Sequence, residues 1–549
     1  MSKDPRSCTI CGGQRLLFFR QVPMAPPGQT GRTVRLHACQ ECGTLIDFDS
    51  AAGAGERPIR ELDIRFQVEV GADLHLYAFL LCLLRRLAPE RCTAAPPRLL
   101  DVGAGFGFLV SMASAGGWEA VGLEPASIGR QGGQRLETTI HPVTLEEFEQ
   151  DPTFDGAGHF EFICALDRIG RVSDPHRTVA AAARSLQPDG TLVVCSPNAE
   201  QARAAGEHEW GRLLDAGHRR QLLTPRAMEH LLRSHGFGQV RVLLRGGSSG
   251  QEQIVALATR GAAPSLQQIP LPEVTIEALA FARDYLESLV RHLEQADQRD
   301  MLYGGALHRV VELLVSERFY DEALVYAAKV DQLLDATGVC REEIDRLQPT
   351  DLQQYLAVLP AYTAAYLFQR GMINLHHLAD NEQALGDFRT AAHLFRVEQS
   401  LGLDRAGWHE RSLLCAGLAM MGLGQSLTAL HLFEALIAQP QSLPPDVRET
   451  LYHNKGIAHL QLGEHLAAMS CYTELVLAGL PGAPHGVQHP ARQMVVAFNL
   501  TIQSLHAELA ALGKVVQGLS QKLEHASLSR APDLLPGVNP EVHQNHGLS

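Results

Sequence analysis

Lysine is nearly missing from this chain of 549 residues: only five of its 47 basic residues are Lys, the rest being Arg. Acidic residues outnumber basic ones, 61 to 47, for a net charge of −14. That balance argues against non-specific nucleic-acid binding, which needs a basic surface to neutralise phosphates. No run of 18 uncharged apolar residues occurs, so no membrane-spanning helix is expected. The start is polar and carries cysteines, unlike a signal peptide, and a cytoplasmic protein is expected. The eleven Cys do not form the framework of a small secreted fold: four cluster near the start and the others are scattered. With 45% hydrophobic and 20% charged residues there is material for several cores. At ~150 residues per domain, the length predicts three or four domains.

The most informative stretch is Leu-Leu-Asp-Val-Gly-Ala-Gly-Phe-Gly, from Leu99 to Gly107. An apolar strand leads into glycines at alternate positions, Gly103, Gly105 and Gly107. A helix-like segment follows (Phe108, Leu109, Met112, Ala113), then a second strand, Ala120–Leu123, ending in Glu124. Strand, glycine turn, helix and a strand tipped by an acid form the front half of a nucleotide-binding α/β unit. A carboxylate at that tip can accept both hydroxyls of a ribose, each bond being worth about 1.5–3 kcal/mol. The dinucleotide fingerprint requires a glycine where Phe108 stands, so a nicotinamide dehydrogenase is disfavoured. The pattern present, Asp-x-Gly-x-Gly-x-Gly from Asp101 to Gly107, resembles motif I of the class I S-adenosylmethionine (SAM) methyltransferases. The resemblance implies that Asp101, Gly103, Gly105 and Gly107 lie beside SAM and that Glu124 holds its ribose.

Residues 1–50 hold Cys8-x-x-Cys11-Gly12 and Cys39-x-x-Cys42-Gly43, with 27 residues between the pairs. Each pair offers two thiolates from one tight turn, the spacing of a four-cysteine zinc ribbon. Cys8, Cys11, Cys39 and Cys42 are the expected ligands of one closed, structural Zn²⁺, with no open position for catalysis. Residues 51–60 read as a linker. Apolar spacing from about Arg65 to Leu87 predicts a helix, and Pro96-Pro97 separates it from the first strand.

Alternation of strand and helix continues, with strands expected near Ile140–Leu145, Phe160–Cys164, Thr191–Cys195, Val240–Leu244 and Ile254–Ala258, and a helix over Arg177–Leu186. Seven strands ending in a hairpin is the Rossmann-like architecture that the resemblance implies. The resemblance extends through Asp174-Pro175, Leu186–Gly190, Ser196-Pro197-Asn198, His218-Arg219-Arg220, Thr224-Pro225 and Gly236-Phe237. These look like later motifs of the methyltransferase branch that often carries an N-terminal zinc ribbon. One departure stands out. That branch usually has Glu-His before the Val-x-Asp-Pro turn, where this chain has Gly170 and Arg171. The change removes a candidate base.

Methyl transfer asks mainly for alignment of an acceptor with an activated methyl, and an oxygen or carbon acceptor also needs a base. The candidates are Asp167, His176 and His218, with His218 preferred for its polar loop beside Arg219 and Arg220. Those two arginines read either as a site for an acidic substrate or as a solvated turn.

Beyond a second linker, 261–272, the pattern turns helical. Gly417, Ala429 and Phe433 recur as Gly456, Ala468 and Tyr472; Gly371, Ala384 and Phe388 form another copy, and Ala323 with Ala327 an earlier one. Small residues let two helices cross closely while the aromatic fills the gap. This resembles tetratricopeptide (TPR) repeats, spaced irregularly, and implies a groove for a peptide or protein partner. From Ala491 to Ala526, apolar residues step by 3 and 4 (Val495, Phe498, Ile502, Leu505, Leu509, Leu512, Val516, Leu519, Leu523, Ala526), the heptad of a dimeric coiled coil or of a capping helix. The tail after Ser527 is polar and expected to be disordered.

The expected organisation is a zinc ribbon (1–50), a seven-stranded α/β SAM methyltransferase domain (62–260), all-α TPR-like repeats (273–480), a heptad helix (491–526) and a tail (527–549). The expected function is methyl transfer from SAM to an O, N or C acceptor on a glycan, a natural-product intermediate or a protein, with the repeats recruiting substrate or partner. The alternative is a SAM-binding scaffold that has lost turnover.

Overall fold

In the computed structural model, described residues comprise 7–23, 33–48, 61–71, 73–87, 95–150, 159–203, 210–214, 219–246, 252–260, 271–401, 407–438 and 445–477, a few isolated positions between these segments, and most of 498–522. The chain divides into two compact units, residues 1–423 and 424–549.

The first unit opens with three strands, β1 (Leu16–Pro23), β2 (Thr33–Cys39) and β3 (Leu45–Asp47). The helix expected over residues 65–87 is broken into three parts. These are α1 (Glu61–Phe66), a π-helical turn (Gln67–Gly71) and α2 (Leu74–Leu87). Asp73 restarts the helix by accepting the Leu76 N–H at 2.9 Å, the role of an N-cap, and Gly71 precedes it. There follow β4 (Arg98–Val102), α3 (Phe108–Ala115), β5 (Glu119–Leu123), α4 (Ser127–Arg135), β6 (Ile140–His141), α5 (Leu145–Gln150), β7 (Phe160–Leu166), α6 (Pro175–Ser185), β8 (Leu186–Pro197), β9 (Gln221–Leu222), α7 (Pro225–Ser234), β10 (Gln239–Gly246) and β11 (Glu252–Thr259). The third strand of the α/β unit is thus only two residues long, and Leu145 already begins a helix.

Seven strands form one sheet in the order β10-β11-β8-β7-β4-β5-β6. Strands β4 to β8 run parallel, and β11 pairs antiparallel with both β8 and β10. The chain enters at β4, moves outward to β6, then returns to the other side of β4 at β7. Strand order therefore reverses between β4 and β7, the place where open α/β sheets bind ligands.

Both faces of this sheet are covered, so its strands read as continuous apolar runs rather than alternating ones. Leu99, Phe162, Val193 and Val255 point into one core with α2, α3 and the helices that follow the sheet. Their neighbours Leu100, Ile163, Val194 and Ile254 point into the other, with α6, α7 and the cysteine-bearing N-terminal segment. The N-terminal strands are not closed on themselves: β3 pairs with β9, matching Ile46 to Gln221, so four strands ordered β1-β2-β3-β9 make the second sheet.

Helices α8 (Leu271–Gln295), α9 (Met301–Ser316), α10 (Tyr320–Asp335), α11 (Thr363–His376), α12 (Asn381–Ser400) and α13 (Trp408–Gly422) complete this unit. In the pair α11 and α12 the expected small-to-aromatic contact is present, a Cβ at Gly371 falling 2.7 Å from the Phe388 ring. Buried Asp387 locks the pair, accepting from Asn374 at 2.9 Å and pairing with Arg370 and Arg341.

The second unit holds α14 (Ser426–Ile437), α15 (Pro445–Gln461) and α16 (His465–Leu477), and a Cβ at Gly456 would meet Tyr472 at 2.6 Å. Described residues between 498 and 522 are helical, with Phe498, Leu509, Leu512, Val516 and Leu519 exposed. Val495, Leu505, Leu523, Ala526 and the tail lie outside the described residues. Among the described residues no single helix is long and apolar enough to cross a membrane.

Candidate functional site

The glycine loop leaves β4 at the point where strand order reverses. Gly103, Gly105 and Gly107 take φ of 81°, 54° and 91°, the left-handed region that side chains disfavour. Space is equally restrictive at Gly105, where a Cβ would fall 2.8 Å from the amide nitrogen of Gln67 in the π-helical turn. The π-helical turn thus places the Gln67 side chain against the loop.

Glu124, buried at the tip of β5, ties the loop down. Its Oε2 accepts from Gly105 N at 3.1 Å and its Oε1 from Ala126 N at 3.0 Å. Asp101, buried beneath the loop, has its carboxyl pushed up to about 7 by burial and by the charge of Glu124. Tyr77 on α2 is raised by burial and by the nearby Asp101 and Asp73, so it stays a phenol.

Asp167 directly follows β7 on the other side of the switch, with a left-handed φ of 54° and its N–H bonded to Cys195 O at 2.9 Å. Its Oδ2 accepts from Arg171 at 2.7 Å and from Arg219 at 2.5 Å. Burial would raise this carboxyl, but the two guanidinium groups outweigh burial and hold it below its ordinary value. Among the described residues Asp167 Oδ1 has no hydrogen-bond partner.

This network accounts for the absent Glu-His pair. A Cβ at Gly170 would lie 2.9 Å from Gln221 O and 3.1 Å from the Arg219 side chain, and Gly170 O accepts from Arg220 N and Gln221 N at 2.8 and 3.1 Å. A glutamate has no room there, and Arg171 turns back onto Asp167.

As bases, the expected residues fare unevenly. Asp167 is held ionised by two arginines, which makes it a weak proton acceptor. His176 serves elsewhere: its Nδ1 lies 2.9 Å from His235 Nε2 and its Nε2 2.9 Å from Ile10 O, so both ring nitrogens are engaged, one joining α6 to the end of α7 and the other to the N-terminal segment. His218 lies outside the described residues. Gln67 and Tyr77 both lie in the stretch that apolar spacing assigns to one unbroken helix, which gives neither a role at the loop. The Gly71-Ala72-Asp73 interruption is the signal that would have located the break.

The four cysteines come together as expected, all four sulfurs lying within 4.8 Å of one another. Cys8 and Cys42 are 3.5 Å apart, Cys11 and Cys39 3.6 Å. Tetrahedral zinc with bonds of about 2.3 Å separates sulfurs by about 3.8 Å, so the cluster could close on one ion with little movement. It is joined to the sheet through the segment that carries Arg219: Thr224 Oγ1 donates to Cys42 O at 2.6 Å, and Asp47 N to Arg220 O at 2.8 Å.

Comparison with known proteins agrees with this geometry. Residues 73–242 match the family model described as a methyltransferase domain. The chain is 30% identical over 115 residues to a ubiquinone biosynthesis O-methyltransferase of Marinobacter nauticus, covering 20% of this chain and 48% of that protein. It is 29% identical over 155 residues to the protein of that name from Xanthomonas axonopodis, covering 27% and 65%. The chain thus spans from about half to just under two thirds of the length of these relatives. A solved SAM-dependent methyltransferase of Thermotoga maritima, a possible histamine N-methyltransferase, is similar at 20% identity, covering 34% of this chain and 91% of that one with a TM-score of 0.26. Residues 73–242 of this chain are a methyltransferase domain.

Proposed function

We infer that the protein transfers a methyl group from SAM, bound over the glycine loop, to an acceptor approaching the Asp167 side of the switch. One observation carries the reading: a left-handed glycine loop at the strand reversal, tied through Gly105 N to a buried acid at the tip of the next strand. The cradle fits the cofactor, because the loop turns tightly through three left-handed glycines and Glu124, at the tip of the next strand, stands where a ribose diol would be accepted. SAM supplies an electrophilic methyl on a positive sulfur. The chain's own part is to hold Glu124 and the loop rigid, to keep Asp167 ionised between Arg171 and Arg219, and to offer Asp167 Oδ1 as a hydrogen-bond acceptor. Among O, N and C acceptors, the names of the relatives favour oxygen.

The four cysteines would hold one structural zinc, which would brace the segment carrying Arg219. The helical pairs, TPR-like in their Gly371–Phe388 and Gly456–Tyr472 contacts, would recruit a protein partner or substrate. The exposed apolar residues from Phe498 to Leu519 would pair with a second copy.

A second reading, a SAM-binding scaffold without turnover, draws on the Arg171–Asp167–Arg219 network, which occupies the ground of a base. Calorimetric titration with SAM and S-adenosylhomocysteine, with NAD as control, followed by methyl-release assays on phenolic acceptors, separates the two. Binding with turnover supports the enzyme; binding without turnover on any acceptor supports the scaffold; no binding of either ligand sinks both.

A further inference from the structure

Arg309 belongs to α9, outside the methyltransferase domain, yet its guanidinium reaches the helix that follows the glycine loop. It stands over the Phe108 ring, 5.3 Å from the centroid, and donates from Nη2 to Gln67 O at 3.4 Å. The residue is only 6% exposed, and among the described residues its Nη1 has no hydrogen-bond partner. A permanent charge withdrawn this far from water calls for an anion. The buried acid nearby, Glu69, is already bonded to Arg65 and to Ala361 N. Burial lowers Arg309 to about 10 despite the fields of Glu312 and Glu69, so its charge is under-compensated in the fold as it stands.

Its position is not accidental to the packing. Gly305 lies one turn earlier on the same face of α9, where a Cβ would fall 2.8 Å from Val68 O and 2.9 Å from Glu69 Cα. That glycine lets α9 lie directly on the π-helical turn, whose Gln67 touches Gly105. A second residue of the helical region makes a parallel approach, Tyr285 on α8 donating to Ser111 Oγ on α3 at 3.0 Å. Two helices beyond the sheet thus contact the first turns after the glycine loop.

We propose that Arg309 binds the carboxylate of SAM's amino-acid portion, so that the helical region completes the cofactor site. The proposal rests on the SAM reading above. SAM has one anionic group, that carboxylate, and a guanidinium whose Nη1 is unpartnered among the described residues can donate to it and balance its charge.

The test uses the full-length protein, titrated with S-adenosylhomocysteine and with methylthioadenosine, which keeps the nucleoside and sulfur but lacks the amino-acid end, ammonium and carboxylate alike. Wild type should prefer the first. Arg309→Met should weaken S-adenosylhomocysteine about ten-fold or more and leave methylthioadenosine within about two-fold, with Arg309→Lys in between. Retained methylthioadenosine binding also reports a folded site. Equal loss of both ligands would mean a purely structural role and overturn the proposal, as would unchanged affinity for S-adenosylhomocysteine. If the Met variant does not fold, the ratio of the two affinities in Arg309→Lys decides. Wild-type protein that binds neither ligand overturns the SAM reading itself, a separate failure visible before any variant is made.

Discussion

Arg219 donates to Asp167 Oδ2 at 2.5 Å, joining the segment that docks the cysteine cluster to the end of the central strand β7. Fifty-two residues separate the two in the chain. The bond links the segment that docks the cysteine cluster with the candidate acceptor site, and the Arg219 side chain is one of the groups that leave no room for a side chain at Gly170.

Arg219→Met should therefore destabilise the protein. Asp167 would lose one of two counter-charges and Leu213 O a donor. Because the Asp167 side chain is about one third exposed, solvent screens part of the loss, and about 1–2 kcal/mol is expected in urea unfolding at pH 7. The folded Asp167 carboxyl lies below its ordinary value, so its contribution is present above the unfolded value and lost as pH falls through the folded one. The variant should lose less stability on acidification than wild type; parallel pH curves would dismiss the pair as a stabilising contact.

Asp101 has the opposite sign. Its carboxyl sits at about 7 in the folded chain against an ordinary 3.8. Between those values the folded state keeps a proton that the unfolded chain releases, so stability falls as pH rises through that window and levels off above it. The slope is at most about 1.4 kcal/mol per pH unit. Asp101→Asn should remove this slope in urea unfolding between pH 5 and 8. A wild-type-minus-variant difference that is flat with pH would show that Asp101 titrates normally.

Metal analysis of purified protein should return one zinc per chain. Chelation should lower the melting temperature and weaken ligand binding at the glycine loop, because β3 pairs with β9 next to Arg219 and Arg220. Cys42→Ser should reproduce both effects. Metal content near zero would defeat the zinc assignment, and loss of zinc with unchanged binding would defeat the coupling.

Removing residues 491–549 should convert a dimer to a monomer in light scattering, since Leu509, Leu512, Val516 and Leu519 are exposed. A full-length protein that is already monomeric would exclude self-association through this helix.

Much of the site is readable before folding because it is local. Asp101 to Gly107 and Glu124 lie within 24 residues, and a strand, a glycine turn and a second strand dictate how they meet. Each Cys pair is likewise set by one tight turn. The strands at the middle of the sheet are legible because buried parallel strands need unbroken apolar runs, but strand ends differ from expectation by up to five residues, β8 beginning at Leu186 rather than Thr191.

What the sequence by itself determined is therefore the loop, the acid, the thiol knuckles and the sheet, all specified by neighbours along the chain. Only the tertiary structure decided which distant residues complete them. Arg219 with Asp167, Gly170 against Gln221, β3 beside β9, and Arg309 over Phe108 are long-range juxtapositions. No periodicity encodes them. They follow from two packed faces of one sheet, each core drawing in a segment from the far end of the chain because its apolar side chains must be covered there.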